Sequence, residues 1–130
     1  MTRIIIAGSR NFSDYNFLKQ SVVEKIKYLK SLGYNISRDN IEILSGKASG
    51  ADTLGEWFAD EAKLKIIEFP ANWNIGKQAG YVRNNDMAEY SIKDGSIGVL
   101  LAFWDKKSKG TKHMIDLAKN MDWWYLYSTL

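Results

Sequence analysis

Residues 3–10 read Arg-Ile-Ile-Ile-Ala-Gly-Ser-Arg, a short apolar run that stops at a turn of small residues. The β-branched run predicts a buried strand, and the polar segment after the turn leads into a helical pattern. The same succession recurs after residues 41–44 and after residues 97–103. Repeated strand–helix alternation indicates an α/β fold with a parallel sheet, right-handed crossovers and helices on both faces.

Hydrophobic periodicity predicts five strands and four helices along the chain. The strands are expected at residues 3–7, 41–44, 64–69, 97–103 and 123–127, and the helices at residues 14–32, 51–63, 78–92 and 111–120. In the first helix, Ser13 is the expected N-cap and Gly33 the expected C-cap. The strand at residues 97–103 is the most hydrophobic and is expected to be central.

Length and composition are typical of one soluble domain spanning residues 1–130, with 45% hydrophobic and 25% charged residues. The absence of cysteine excludes a disulfide framework and thiolate chemistry, and the lone His113 excludes a histidine-cluster metal site. We therefore expect no metal and no cofactor. The apolar runs are too short for a membrane span or a signal peptide, so we expect a cytoplasmic protein that does not bind membranes.

Three turns of small residues follow predicted strands. They are Gly8-Ser9-Arg10, residues 45–52 (Ser-Gly-Lys-Ala-Ser-Gly-Ala-Asp) and residues 108–111 (Ser-Lys-Gly-Thr). In a parallel sheet all such turns lie at the carboxyl edge, where backbone N–H groups and helix N-termini favour an anion. The three turns together predict a site for an anionic ligand, most simply a nucleotide.

Two common nucleotide-binding motifs are absent. The first turn lacks the G-x-G-x-x-G dinucleotide fingerprint. Ahead of Gly46-Lys47, the Walker A glycine is replaced by Ile41, and Ala48 stands where a Ser or Thr would hold magnesium. These departures argue against a nicotinamide-dependent redox enzyme and a P-loop ATPase.

The first two turns each allow a plainer interpretation. Ser9 can donate to a phosphate and Arg10 can clamp one, or the turn can be tight with Arg10 in solvent. Ser49 and Asp52 have the spacing of a capping box. The same stretch also forms an open surface of small residues, and Asp52 is of the type that accepts ribose hydroxyls.

Three residues outside the turns carry similar alternatives. Arg83 lies beside Asn84 as a fixed cation for a ligand, or pairs with Asp86 on a solvated face. Trp73 can stack on a base or cover the core. We expect His113 on the surface of the last helix.

Taken together, these residues resemble the YspA-like, cpYpsA-related branch of the SLOG superfamily. The resemblance rests on residues 8–10, 45–52, 70–73, 80–84, 87 and 108–111. That superfamily includes the Lonely Guy phosphoribohydrolases and the DNA-processing protein DprA. The resemblance implies a Rossmann-like three-layer domain from a bacterium or a phage that binds nucleotides or nucleotide-derived ligands.

The chain departs from the hydrolases at their catalytic glutamate. Gly110 and Thr111 match the hydrolase motif, but the glutamate position is occupied by Met114. A thioether can neither manage a proton nor stabilise an oxocarbenium-like centre as a carboxylate does. Hydrolysis would therefore need Asp52, Asp86 or Asp105 in its place.

We therefore predict a binding module, such as a sensor of a signalling nucleotide. Its expected ligand-binding residues are Gly8, Ser9, Arg10, Ser45, Gly46, Ser49, Gly50, Asp52, Trp73, Arg83, Asn84, Ser108, Gly110 and Thr111. The alternative is an N-glycosidic or phosphoribosyl hydrolase, with Arg83 on the phosphate and Asp52 at the ribose. Single-stranded DNA binding is the weakest hypothesis because the net charge is only +3. The family analogy and the aromatic final strand also predict a homo-oligomer.

Overall fold

The computed structural model describes residues 1–121 in full and residues 124–129 as backbone. Its strands are β1 (Thr2–Gly8), β2 (Ile41–Ser45), β3 (Lys65–Glu68), β4 (Ile97–Trp104) and β5 (Trp124–Thr129). Its helices are α1 (Tyr15–Ser31), α2 (Ala51–Ala62), α3 (Ala79–Ser91) and α4 (Lys109–Asn120). All strands pair in parallel, which confirms the predicted Rossmann-like α/β fold.

The strand order β3-β2-β1-β4-β5 places the first strand in the middle of the sheet. The chain builds outward from β1 to β3 and then crosses back to β4. That reversal between β1 and β4 opens a crevice at the carboxyl ends of these two strands, where ligands bind in open α/β sheets. β4 is interior, as its hydrophobicity predicts, but β1 rather than β4 is central.

The core divides into two layers because successive strand residues face opposite sides of the sheet. Ile4 and Ile6 of β1 pack with α1 and α2, whereas Ile5 packs with α3 and α4. Leu18, Val22 and Leu29 form the buried apolar stripe of α1. The three-layer arrangement leaves the strand ends uncovered, and the turns lie there.

Helix capping differs from the prediction at α1 and at α2. The N-cap of α1 is Asp14 rather than Ser13, because the Asp14 carboxylate accepts a hydrogen bond from Phe17 N at 3.1 Å. The C-cap of α1 is Leu32, and Gly33 follows it with a φ of +100°.

The Ser49–Asp52 capping box does not form at α2. Gly50 is the N-cap of that helix and provides no side-chain hydrogen bond. Asp52 instead accepts from Ala48 N at 3.3 Å, so its carboxylate lies within the turn. At α4 the Ser108 hydroxyl accepts from Thr111 N, which is an ordinary side-chain cap.

Within the described residues, none of the helices has the length and apolar character that crossing a membrane requires. The side chains of the aromatic run at residues 123–127, on which the predicted homo-oligomer partly rests, lie outside the described part of the structure. The backbone of residues 124–129 forms β5 beside β4.

Candidate functional site

The turns meet at the carboxyl edge of β1, β2 and β4. The first turn packs against the end of β4, and the second turn packs against the first. A Cβ added at Gly8 would lie 2.5 Å from Phe103 O, and one at Gly50 would lie 2.1 Å from Ser9 O. Gly50 also has a φ of +77°, which favours glycine. These two glycines are therefore required by the packing of the turns.

Two adjoining cavities, here called the cleft, open above these turns. The wide cavity has a volume of about 460 Å³, and the narrow cavity one of about 120 Å³. Arg10, Ala48 and Arg83 form walls of both. The wide cavity is otherwise lined by Gly46, Lys47, Ser49, Pro70, Ala71 and Trp73. The narrow one is lined by Ala7, Gly8, Asp52, Asn84, Met87, Ser108, Gly110, Thr111 and Met114.

Arg83 reaches from α3 across to the second turn. Its Nη1 donates to the Gly46 carbonyl and its Nε to Asn84 Oδ1 at 3.0 Å. Burial lowers the pKa of Arg83, while the charge of Asp52 opposes that shift. The alternative pairing with Asp86 does not form, so the half-buried guanidinium faces the cleft.

Asp52 is the buried acid of the cleft, with a relative exposure of 6%. Burial raises its pKa to about 6, although the hydrogen bond from Ala48 and the charge of Arg83 act in the opposite direction. A Cβ at Gly46 would lie 2.8 Å from Arg83 Nη1 and 2.9 Å from Asp52 Oδ2. Glycine at this position therefore lets an acid and a cation converge on the second turn.

Arg10 and Trp73 are the accessible groups of the wide cavity. Arg10 is exposed and has no hydrogen-bond or ion-pair partner among the described residues. Trp73 is 59% exposed, so it does not cover the core. Lys47, which also lines this cavity, is occupied by ion pairs to Glu56 at 3.0 Å and Glu68 at 2.8 Å. Arg10 is therefore the more available cation.

Three of the predicted ligand-binding residues do not line the cleft. The buried Ser9 hydroxyl lies 2.6 Å from Asn11 Oδ1 and 3.1 Å from Asp105 Oδ2. The Ser45 hydroxyl donates to Glu56 and accepts from Lys47 N at 3.1 Å. Gly50 packs against the first turn. The structure therefore uses these three residues to support the turns.

The sequence interpretation missed the surroundings of Asn84. Its Nδ2 lies 3.2 Å from Gly110 O and 3.1 Å from His113 Nδ1. His113 is thus half-buried against α3 instead of free on the surface of α4. The sequence places His113 on the same helix face as Gly110, one turn later, but no local pattern links that face to Asn84.

The first two turns and Trp73 fall within the part of the chain that matches a known family. The model of the YspA, cpYpsA-related SLOG family, called YAcAr, matches residues 2–76. No curated protein and no solved structure matches the chain. Because the family model covers more than half of the sequence, the chain belongs to the YspA, cpYpsA-related SLOG family.

Proposed function

We propose that this protein binds a nucleotide or a nucleotide-derived small ligand in the cleft. The observation that carries the proposal is that two guanidinium groups, Arg10 and Arg83, line both of its cavities. Arg10 has no partner among the described residues, and guanidinium groups bind phosphate bidentately. A phosphate at the junction of the two cavities would neutralise both cations.

The wide cavity suits the base of such a ligand. Its volume of about 460 Å³ lies in the usual range for small-molecule sites, roughly 300–1,000 Å³. Trp73 offers an exposed indole face on which a base can stack, with Pro70 and Ala71 as further apolar walls.

The narrow cavity suits a small polar group of the same ligand. Asp52 can accept a hydrogen bond from a hydroxyl group, and Gly110 leaves open space at the start of α4. The amides in the first turn of that helix favour negative charge. The cleft therefore offers an aromatic surface for a base, cations for a phosphate and an acceptor for a hydroxyl group.

Isothermal titration of the purified protein with ADP-ribose, cyclic nucleotides and nucleoside monophosphates tests the proposal. We expect saturable binding of at least one compound. A protein that unfolds cooperatively in a thermal scan, and is therefore folded, yet binds nothing in this panel would contradict the proposed binding function.

Trp73→Ala tests the placement of the base. Base–aromatic stacking contributes about 1–3 kcal/mol, so the dissociation constant should rise by roughly 5- to 150-fold. Trp57→Ala is a matched control because Trp57 is 58% exposed, on α2, and lines neither cavity of the cleft. Equal losses of ligand affinity in the two variants would argue against stacking of the base on Trp73.

Asp52 supports a second candidate function, the cleavage of an N-glycosidic bond. A buried carboxyl whose pKa is raised to about 6 is suited to proton transfer near neutral pH. Of the other two acids, Asp105 has its pKa lowered by hydrogen bonds from the Ser108 and Lys107 amides. Asp86 is exposed and does not line the cleft.

In this reaction water adds across the bond between C1′ of ribose and the base, so that free base and a ribose phosphate form. Chromatography of nucleotides incubated with the protein detects the base. Asp52→Asn should abolish its release and Arg83→Ala should slow it. Unchanged release of base by Asp52→Asn would contradict the role assigned to Asp52. If no nucleotide releases its base, binding without cleavage remains as the proposed function.

A further inference from the structure

The amide of Asn84 connects the cleft to the single histidine of the chain. Asn84 is 5% exposed and lies on α3, with its side chain in contact with α4. Its Oδ1 is 3.0 Å from Arg83 Nε, and its Nδ2 is 3.2 Å from Gly110 O and 3.1 Å from His113 Nδ1. One buried side chain thus contacts a cleft cation, a backbone carbonyl and an imidazole.

Two of these neighbours determine the orientation of the amide. A guanidinium N–H can only donate, so the Asn84 atom facing Arg83 must be the oxygen. A backbone carbonyl can only accept, so the atom facing Gly110 must be the nitrogen. The two constraints agree, which leaves one orientation for the Asn84 side chain.

This orientation in turn determines the state of the imidazole. Because Asn84 Nδ2 donates, the His113 Nδ1 beside it must be an unprotonated acceptor. The ring is then neutral and carries its proton on Nε2. Protonation at Nδ1 would place two donors face to face.

We propose that His113 is a positioning residue for the ligand site, holding the Asn84 amide so that Arg83 is aimed into the cleft. The consequence for the ligand rests on the proposed function, whereas the link between the three side chains does not. If His113 gains a proton, its Nδ1–H opposes the Asn84 N–H, so the amide must shift away from His113 or turn over, and either movement displaces the Oδ1 that Arg83 Nε contacts. A turned amide would present its own N–H groups to Arg83, so the orientation of the guanidinium would be lost.

The groups around His113 are compatible with the neutral ring. Tyr81 of α3 packs edge-on at 4.7 Å between ring centroids. Asp116, on the same helix as His113, is paired with Lys112 at 2.9 Å. Burial lowers the pKa of His113, and the Asp116 carboxylate offsets this only in part.

Nuclear magnetic resonance of the ligand-free protein tests the first step, since the chain has one histidine and its ring signals need no assignment by mutation. At pH 7.5 we expect the ¹⁵N shifts of an Nε2–H tautomer. The titration midpoint should lie below the ordinary value of about 6.5. An Nδ1–H tautomer or a ring already protonated at pH 7.5 would overturn the proposal.

The second step is the coupling to Arg83, read from its Nε–Hε signal as the pH is lowered. Asp52 titrates in the same range, so the experiment uses the Asp52→Asn variant. We expect the Arg83 Nε shift to change with the same midpoint as the His113 ring.

The control is the double variant Asp52→Asn/His113→Gln. Glutamine supplies a carbonyl oxygen that accepts from Asn84 and does not titrate. The Arg83 Nε shift should match that of Asp52→Asn at pH 7.5 and then stay constant as the pH falls. A pH-dependent shift that persists in the double variant, or that is missing in Asp52→Asn, would overturn the proposal. No ligand is present, so this result is independent of whether nucleotides bind.

Discussion

At the scale of single residues, Asp52 is the distinctive group of the cleft because its carboxyl group has little contact with water. Asp52 is 6% exposed, and its pKa of about 6 shows that burial outweighs the hydrogen bond from Ala48 and the charge of Arg83. An acid whose pKa is raised by folding makes the folded state bind more protons than the unfolded state. Its ionisation therefore lowers the free energy of unfolding as the pH rises.

Asp52→Asn should remove this loss because an amide does not ionise. The pKa rises from 3.8 to about 6 on folding, so the stability of the variant relative to wild type should increase between pH 4 and pH 7. The increase should be up to ~3 kcal/mol. Urea unfolding at pH 4.5, 5.5, 6.5 and 7.5 measures the difference.

Asp60→Asn is the matched control, since Asp60 lies on the same helix and is exposed. Its stability is measured at the same four pH values, so that any pH dependence common to both variants is separated from that of Asp52. A constant difference for Asp52→Asn would mean that Asp52 ionises freely in the folded protein.

At the scale of elements, the position of α2 depends on how closely its first residue approaches the turn after β1. Ala51 N donates to Ser9 O at 3.5 Å, and a Cβ added at Gly50 would lie 2.1 Å from Ser9 O and 2.6 Å from Arg10 O. This contact sets where the second turn lies relative to the first, and hence the width of the cleft.

Gly50→Ala and Gly33→Ala separate this close approach from the cost of backbone conformation. Both glycines have positive φ, +77° and +100°, but a Cβ at Gly33 would meet nothing within 4 Å. Gly33→Ala should cost ~1–2 kcal/mol from the left-handed conformation alone. Gly50→Ala should cost ~3 kcal/mol or more because backbone atoms must also move. Chemical denaturation gives both values, and equal losses would refute a steric contribution at Gly50.

At the scale of the whole molecule, a buried ionic network joins the sheet to α3 at the end opposite the cleft. Arg3 Nε lies 2.8 Å from Glu42 Oε1, and its Nη1 donates to Tyr90 O at 2.7 Å. Tyr90 OH also donates to Glu42 at 3.0 Å. Burial raises the pKa of Glu42, but the hydrogen bonds from Arg3 and Tyr90 reverse the effect and leave it below its ordinary value.

Arg3→Met should therefore be strongly destabilising, since it leaves the buried Glu42 carboxylate with only the exposed Lys65 ammonium, at 3.7 Å, as a cation. The expected loss in the free energy of unfolding is ~3–5 kcal/mol at pH 7. Arg3→Met/Glu42→Leu should recover part of it, because both buried charges are then removed. A double variant as unstable as the sum of the two single variants would show that Arg3 and Glu42 do not interact. Urea unfolding of the four proteins completes the cycle.

Much of the fold could be predicted because its signals are local. The β-branched run at residues 3–7 and the stripe of Leu18, Val22 and Leu29 each depend on near neighbours in sequence. The N-caps were less predictable. Ser13 and Asp14 are both good caps, and the choice between them depends on the backbone angle at which α1 leaves the turn.

The candidate site was predictable in its location but not in its chemistry. The order of strands and turns alone places the second and third turns beside Gly8, because parallel strands end on one edge. Ser9 and Ser45 are both suited by residue type to bind a ligand. In the structure the Ser9 hydroxyl bonds to Asp105, which follows β4, and the Ser45 hydroxyl bonds to Glu56 of α2.

The sequence by itself determined the element order, the parallel sheet and the edge at which small-residue turns gather. It did so because helix and strand periodicity and glycine turns act over a few residues. Only the tertiary structure decided that Asp52 is buried beside Arg83 and that His113 faces Asn84. Desolvation and hydrogen-bond polarity depend on what other elements bring alongside, and contacts between residues 29 positions apart leave no local pattern in the chain.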